Sequence, residues 1–256
     1  MLDSVAKDFV DIRFAKMNGV LGVLLIGSAS LDYVDELSDV DLEVIVTRDL
    51  FCRVGEFCGS EQYRGINVWW EWTTLNELKN TLNDWEDDLD LWVYSKSKIL
   101  HDSKHRIAHL LADYRQYPKK IWLEKLFVYW YFATGNAPYD SGKAIQRGDL
   151  VTAQLYFNQA MEYYTSLIFI LNNSFVPYRK WRLKELNKLA YKPENYEEIL
   201  RQILTIRRWT LKEFETKQHF INELIGSFEK KLLNAGVPEQ KLKDPWKFKI
   251  TFVPRV

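Results

Sequence analysis

"GSASLDYVDELSDVDLEVIV", residues Gly27 to Val46, is the stretch on which the fold turns. Its second half, "DVDLEVIV", alternates acidic and apolar residues, the period-two pattern of a strand with one face on a core and the other left polar. The "VLGVLLI" before it (20–26) is a continuous apolar run of strand length, broken by Gly27-Ser28. Asp39 and Asp41 stand two residues apart, so an extended chain projects both from one face. Ionised carboxylates held that close repel and are costly to desolvate, so a compensating charge is required. Mg²⁺ suits them: a hard, octahedral cation that takes one or two carboxylates and completes its shell with water and phosphate oxygens. Gly27, with no Cβ, allows close approach to the backbone at the strand end.

The same reading extends in both directions. "LDSVAKDFVDIRFAKMN" carries Val5, Phe9, Ile12 and Ala15 at helical spacing and predicts a helix that stops at Gly19. "RDLFCRVGEFCG" reads as a short helix and "GINVWWEWTT" (65–74) as a third strand. Thr74 is a cap for the helix that follows, with Glu77 as its capping-box partner. "LWVYSKSKILHD" (91–102) is expected as a further strand with a turn near Ser95–Lys98. Beyond residue 104 the texture is helical, with Pro118, Pro138 and Pro177 at element boundaries and Asp149 placed as an N-cap. "WKFKITFVP" at the end reads as one closing strand. The expected class is α+β: a mixed sheet with flanking helices over residues 1–105, then an all-helical bundle over 106–256.

Glu71 is the third acid of interest. In "VWWEWTT" it stands among large apolar residues on a strand expected to be buried, where a carboxylate is rare unless paired or metal-bound. Glu43 shares the Asp39/Asp41 face and is expected to neutralise a Lys or Arg. The run "NDWEDDLDL" (83–91) reads as a solvated acidic loop or as acids beside a cleft.

Composition narrows the classes. Lys+Arg and Asp+Glu balance at 35 each, so no global field draws the chain to nucleic acid or anionic membrane. Basic pairs are scattered rather than aligned with aromatics, so a nucleic-acid footprint is not expected. Two cysteines make neither a disulfide framework nor a zinc site. No secretory h-region and no apolar run of membrane-spanning length appear, so a cytoplasmic protein without a membrane partner is expected. No Walker loop or nucleophile elbow is present, and His105 and His109 lack the glutamate of a zinc-protease helix.

The apolar strand, Gly27-Ser28, the ten-residue interval and Asp39-Val40-Asp41, followed by a strand with one acid, resemble the nucleotidyltransferase superfamily that includes DNA polymerase β and the antibiotic nucleotidyltransferases. The match covers roughly residues 20–75. Length and two-part layout are similar to those of kanamycin nucleotidyltransferase, whose second half is helical. The resemblance implies a polymerase β palm-like sheet domain followed by a helical substrate-binding domain. It implies transfer of a nucleoside monophosphate, AMP from ATP as the first choice among nucleoside triphosphates, to a hydroxyl of a small polar acceptor. An aminoglycoside or lincosamide antibiotic is the family-level expectation. Two Mg²⁺ ions held by Asp39, Asp41 and Glu71 would serve in-line displacement at the α-phosphate. Gly27, Ser28 and Ser38 would hold the triphosphate. In the helical half, Glu162 lies mid-helix beside Met161, Tyr163 and Tyr164 and is a candidate catalytic base, with Glu71 and Glu124 as alternatives. Lys180, after Pro177, either meets a phosphate or is plain surface. The superfamily also admits a homodimer, protein-modifying adenylyltransferases and non-catalytic nucleotide binders.

Overall fold

A computed structural model describes residues 2–31, 33–55 and 58–254. The chain divides into two compact units, Met1–Arg115 and Gln116–Val256.

The first unit runs α1 (Leu2–Arg13), β1 (Val20–Ile26), a single turn α2 (Gly27–Ser30), β2 (Val40–Val46), α3 (Arg48–Val54), β3 (Gly59–Tyr63), β4 (Ile66–Thr74), α4 (Leu75–Asn83), α5 (Asp88–Lys96), β5 (Lys98–Asp102) and α6 (Arg106–Ala112). Its five strands form a mixed sheet in the order β3-β4-β2-β1-β5. Only β2 and β4 run parallel; β1 is antiparallel to β2 and β5, and β3 is antiparallel to β4.

Alternation along β2 decides where the acids go. Val40, Leu42 and Val44 are fully buried and Val46 is nearly so, in one cluster with Phe9, Val10 and Phe14 of the α1 region and Val23 and Leu25 of β1. At ~1.5–3 kcal/mol per buried aliphatic side chain, these four contribute roughly 6–12 kcal/mol as an upper bound. A one-residue slip would forfeit all of it, so the register is fixed and Asp41 and Glu43 are forced onto the opposite face. β4 follows the same rule. Trp70 and Trp72 pack edge-on against Phe14, at centroid separations of 5.6 Å each, which leaves Trp69, Glu71 and Thr73 for the other side.

Local signals account for most of these elements. Thr74 accepts from the Glu77 backbone N–H while Glu77 accepts from that of Thr74, the capping box read from the sequence. Three expectations are corrected. The "LWVYSKSKILHD" segment is not one strand: α5 continues through Lys96 and only Lys98–Asp102 is extended. Asp87 starts that helix, its carboxylate accepting from the Leu89 and Asp90 backbone N–H groups. Strand β3 was not expected; it pairs with β4 through the two-residue turn Arg64-Gly65, both at positive φ (51° and 79°), the geometry that matches strand twist in a hairpin. The "WKFKITFVP" segment is a short 3₁₀ turn at Pro245–Lys247 followed by irregular chain, with no strand among its described residues.

The second unit is helical. It comprises α7 (Lys119–Thr134), a π-helical turn at Gly135–Asp140, α8 (Ser141–Gln146), α9 (Leu150–Leu171), a 3₁₀ turn at Arg179–Trp181, α10 (Arg182–Leu186), α11 (Tyr196–Leu204), α12 (Leu211–Ala235) and α13 (Glu239–Lys243). Asp149 caps α9, its carboxylate accepting from the Thr152 backbone N–H at 3.0 Å, as expected. The second half of α9 is apolar nearly all round and buried, the mark of a central helix. Around it Tyr164 stacks on Phe228 at 5.2 Å and Phe157 lies 6.3 Å from Phe214, both partners on α12. Among the described residues no helix is long and apolar enough to cross a membrane.

Candidate functional site

The site begins where β1 ends. Ile26 is the register partner of Asp41, and the next residue, Gly27, adopts φ +69°. A Cβ built on Gly27 would lie 2.3 Å from Asp41 Oδ2, so the Asp41 carboxylate occupies the space any other side chain would need. Two independent demands, a left-handed backbone and a filled Cβ position, therefore make this glycine a requirement of the aspartate. Ser28 and Ser30 are buried in the turn that follows; the Ser30 hydroxyl donates to the Gly27 carbonyl at 2.9 Å.

The chain returns to β2 through a tight turn. Asp35 Oδ1 accepts from the Leu37 backbone N–H and from the Ser38 hydroxyl, and Ser38 Oγ accepts from the Asp35 backbone N–H. Ser38 thus fastens the turn that delivers Asp39 to the strand mouth. Asp39 and Asp41 are both half-buried. In the parallel register Asp41 faces Trp69 and Glu43 faces Glu71. By strand alternation Asp41, Glu43 and Glu71 share one side of the sheet, and Glu71 is the diagonal neighbour of Asp41, a relation that separates Cα atoms by ~7–8 Å. Among the described residues, no three His, Cys, Asp or Glu groups converge on a common ion point. The donor chemistry still suits a hard divalent cation: adjacent carboxylates at a strand mouth, with positions left for oxygens from a ligand and water.

Glu43 lies on the Asp41 face, as expected from the alternation of β2, and Tyr94 joins it, which was not expected. Glu43 is 2% exposed, and its partner is not a Lys or Arg as expected: the Tyr94 hydroxyl of α5 donates to Glu43 Oε1 at 2.9 Å. Glu43 Oε2 is buried with no hydrogen-bond partner among the described residues. Burial pushes its carboxyl up to about 8, with Tyr94 pulling down and the charges of Glu71 and Asp90 adding to the rise. Glu71 is also raised, first by burial and then by Asp90. The Tyr94 phenol is raised by burial and by the neighbouring Glu43. Asp90, one turn before Tyr94 on α5, thus brings the acidic run 83–91 to the sheet face that carries the other acids. The signal for α5 was present in the Asp87 cap, which starts a nine-residue helix ending at Lys96 notwithstanding the β-prone Trp92-Val93-Tyr94.

The remaining candidates lie in the helical unit. Glu162 on α9 is held by two arginines, Oε2 by Arg182 Nη1 at 2.5 Å and Oε1 by Arg179 Nε at 3.3 Å. Burial pulls Arg182 down from its ordinary range and Glu162 pulls it back up. Arg182 also donates from Nε to the Pro177 carbonyl. These residues line a cavity of about 170 Å³ with Asn158, Thr165 and the apolar Met161, Leu200 and Leu204. Lys180 is exposed, its ammonium over the rings of Tyr178 and Trp181 at 5.6 and 5.4 Å. Glu124 sits half-buried on α7.

Comparison with known proteins agrees with this architecture. A family model described as a domain of unknown function (DUF4037) matches residues 86–182, which takes in α5, α7, α9 and Arg182. No curated protein matches the chain. Among solved structures, a nucleotidyltransferase-like protein from Exiguobacterium sibiricum 255-15 is similar, with a TM-score of 0.51 and 14% identity over 91% of this chain and 79% of that one. The mixed five-stranded sheet and helical C-terminal region therefore form a nucleotidyltransferase-like fold.

Proposed function

We propose that the chain is a nucleotidyltransferase that moves AMP from ATP to a hydroxyl of a small polar acceptor. The acceptor oxygen forms a bond to the α-phosphorus as the bond from that phosphorus to the bridging oxygen breaks; pyrophosphate leaves and the hydroxyl proton passes to a base. The observation that carries this reading is the seat of Asp41 in the space over Gly27, which ties the Gly-Ser turn to the acid pair Asp39/Asp41 beside Glu71. Mg²⁺, in one or two ions, would supply charge neutralisation at the phosphates. Asp39 and Asp41 would hold it, Glu71 would take part from the neighbouring strand, and phosphate and water oxygens would fill the shell. Gly27, Ser28 and Ser38 are proposed to shape the triphosphate seat, with Ser38 acting through the turn it closes.

In the helical unit Glu162 is proposed as the base that meets the acceptor hydroxyl, and Lys180 as a phosphate contact. Of the two arginines on Glu162, Arg179 is 65% exposed and Arg182 10%, so Arg179 is the partner an acceptor would displace. An aminoglycoside or a lincosamide is the proposed acceptor class.

Incubation of the full chain with α-labelled ATP and Mg²⁺, against an antibiotic panel and a cell lysate, tests the reading. Label on a small molecule with release of pyrophosphate supports it. Label on protein alone replaces the acceptor class with a protein side chain, and ATP binding without pyrophosphate release overturns the transferase.

A further inference from the structure

The helical unit holds a second cavity, of about 390 Å³, lined by none of the acids of the proposed site. That volume lies in the range of small-molecule pockets, ~300–1,000 Å³. Its floor is apolar, built from Leu123, Phe127 and Val128 of α7 and from Val237 and Pro238 between α12 and α13. The helical face is set by spacing alone, since 120, 123, 124, 127 and 128 recur at three and four residues.

Its polar lining is one-sided. Lys120, Lys241 and Lys249, from three separate segments, open onto the cavity with a single carboxylate, Glu124. Among the described residues none of these lysines has a carboxylate partner, although Glu124 shares the same cavity. Lys241 instead lies over the rings of Phe127, at 4.4 Å, and Phe248, at 5.7 Å. A net charge of two positive units thus gathers around an apolar floor. The wall that carries Lys249 is irregular chain, fixed by Phe252 over the buried Lys125 ammonium at 5.2 Å, so it is held in place without a sheet ladder.

We infer that this cavity binds a small organic anion, an apolar body bearing one carboxylate, sulfonate or phosphate, with the body on Phe127 and the charged head among Lys120, Lys241 and Lys249. Charge complementarity selects the head and the apolar floor selects the body; a bare inorganic anion has no use for the floor, and a neutral ring has no use for the lysines.

The probe is anilinonaphthalene sulfonate, whose fluorescence rises on transfer to an apolar pocket, titrated onto the full chain beside its uncharged counterpart N-phenylnaphthylamine. Saturable binding of the sulfonate to one site is expected, at least tenfold tighter than the neutral probe. Lys241→Gln weakens it about tenfold, and Lys120→Gln with Lys249→Gln, at two exposed positions whose loss leaves the core intact, weakens it comparably. Glu124→Gln tightens it by a few fold by removing the one like charge. Decanoate displaces the probe, whereas inorganic phosphate at equal ionic strength does not. Equal affinity for charged and neutral probes, lysine variants that bind like the parent, or displacement by phosphate as effective as by decanoate would each overturn the assignment.

Discussion

A buried acid in the sheet unit, Glu43, and a half-buried one in the helical unit, Glu162, are handled in opposite ways. Glu162 on α9 arrives with its counter-charges, one arginine on each carboxylate oxygen. Glu43 on β2 is more deeply buried, yet it receives only a phenol on Oε1 and nothing on Oε2 among the described residues. Around it the fold adds acids rather than cations, with Glu71 directly across the parallel register and Asp90 contributing repulsion from α5. In the helical unit the Glu162 carboxylate is matched by cations on both oxygens. The sheet unit instead gathers acids about a buried carboxylate whose Oε2 has no partner among the described residues, so ionising Glu43 there is costly.

The largest expected effect breaks the comparison at its functional end. Asp41→Asn keeps the shape at the Gly27 contact and removes one charge. Nucleotidyl transfer should fall by about a thousandfold or more, as loss of a principal electrostatic group does. Transfer within tenfold of the parent would show that the acid face is structural after all.

A second test reads the ionisation of Glu43 directly, in chelator so that no divalent ion intervenes. Glu43 has a folded-state carboxyl at about 8 against an ordinary value near 4.5. Between those values the folded chain binds more protons than the unfolded one, so stability falls as pH rises and levels off above about 8. The full shift corresponds to at most ~5 kcal/mol. Glu43→Gln abolishes this slope, and by urea unfolding at pH 9 it should be more stable than the parent by ~3 kcal/mol. An unchanged slope would mean that Glu43 has a cationic partner in solution.

Removing a partner in the helical unit should carry the opposite sign. Arg182→Met leaves Glu162 partly buried with only the exposed Arg179, and costs ~2–3 kcal/mol by the same urea assay at pH 7; the fully buried limit is higher, but Glu162 is 30% exposed. A neutral or stabilising outcome would erase the contrast between the two units.

Much of this was legible in the chain itself. The acid–apolar alternation of β2, the apolar β1 run and the caps at Thr74 and Asp149 are short-range patterns, and each appears where its local chemistry requires. Glu71 was legible as an oddity, a lone acid among tryptophans. What escaped depends on partners distant in sequence. Strand β3, "GSEQY", is a polar edge strand whose identity comes from pairing with β4, although the Arg64-Gly65 turn was a readable hint. Tyr94 sat in a β-prone triplet, Trp92-Val93-Tyr94, that the Asp87 cap and tertiary packing turn into helix. Its contact with Glu43 spans 51 residues, and no local pattern encodes it. The closing segment alternates like a strand but finds no strand to pair with among the described residues.

The smallest effect is the sharpest on mechanism. Tyr94→Phe deletes one hydroxyl and keeps the ring, so below pH 6, where Glu43 is protonated, the loss is one neutral hydrogen bond, ~1 kcal/mol. Above pH 8 the same hydroxyl is the donor to an ionised, buried oxygen, and its loss should grow to ~2–3 kcal/mol. Because that bond holds the Glu43 carboxyl down, its removal should also move the midpoint of the stability–pH curve upward. Combining Tyr94→Phe with Glu43→Gln separates the terms. The glutamine carbonyl still accepts from Tyr94, so the coupling between the two changes should be near zero at pH 6 and appear only as Glu43 ionises. A coupling independent of pH would place the interaction in ring packing and not in the charge of Glu43.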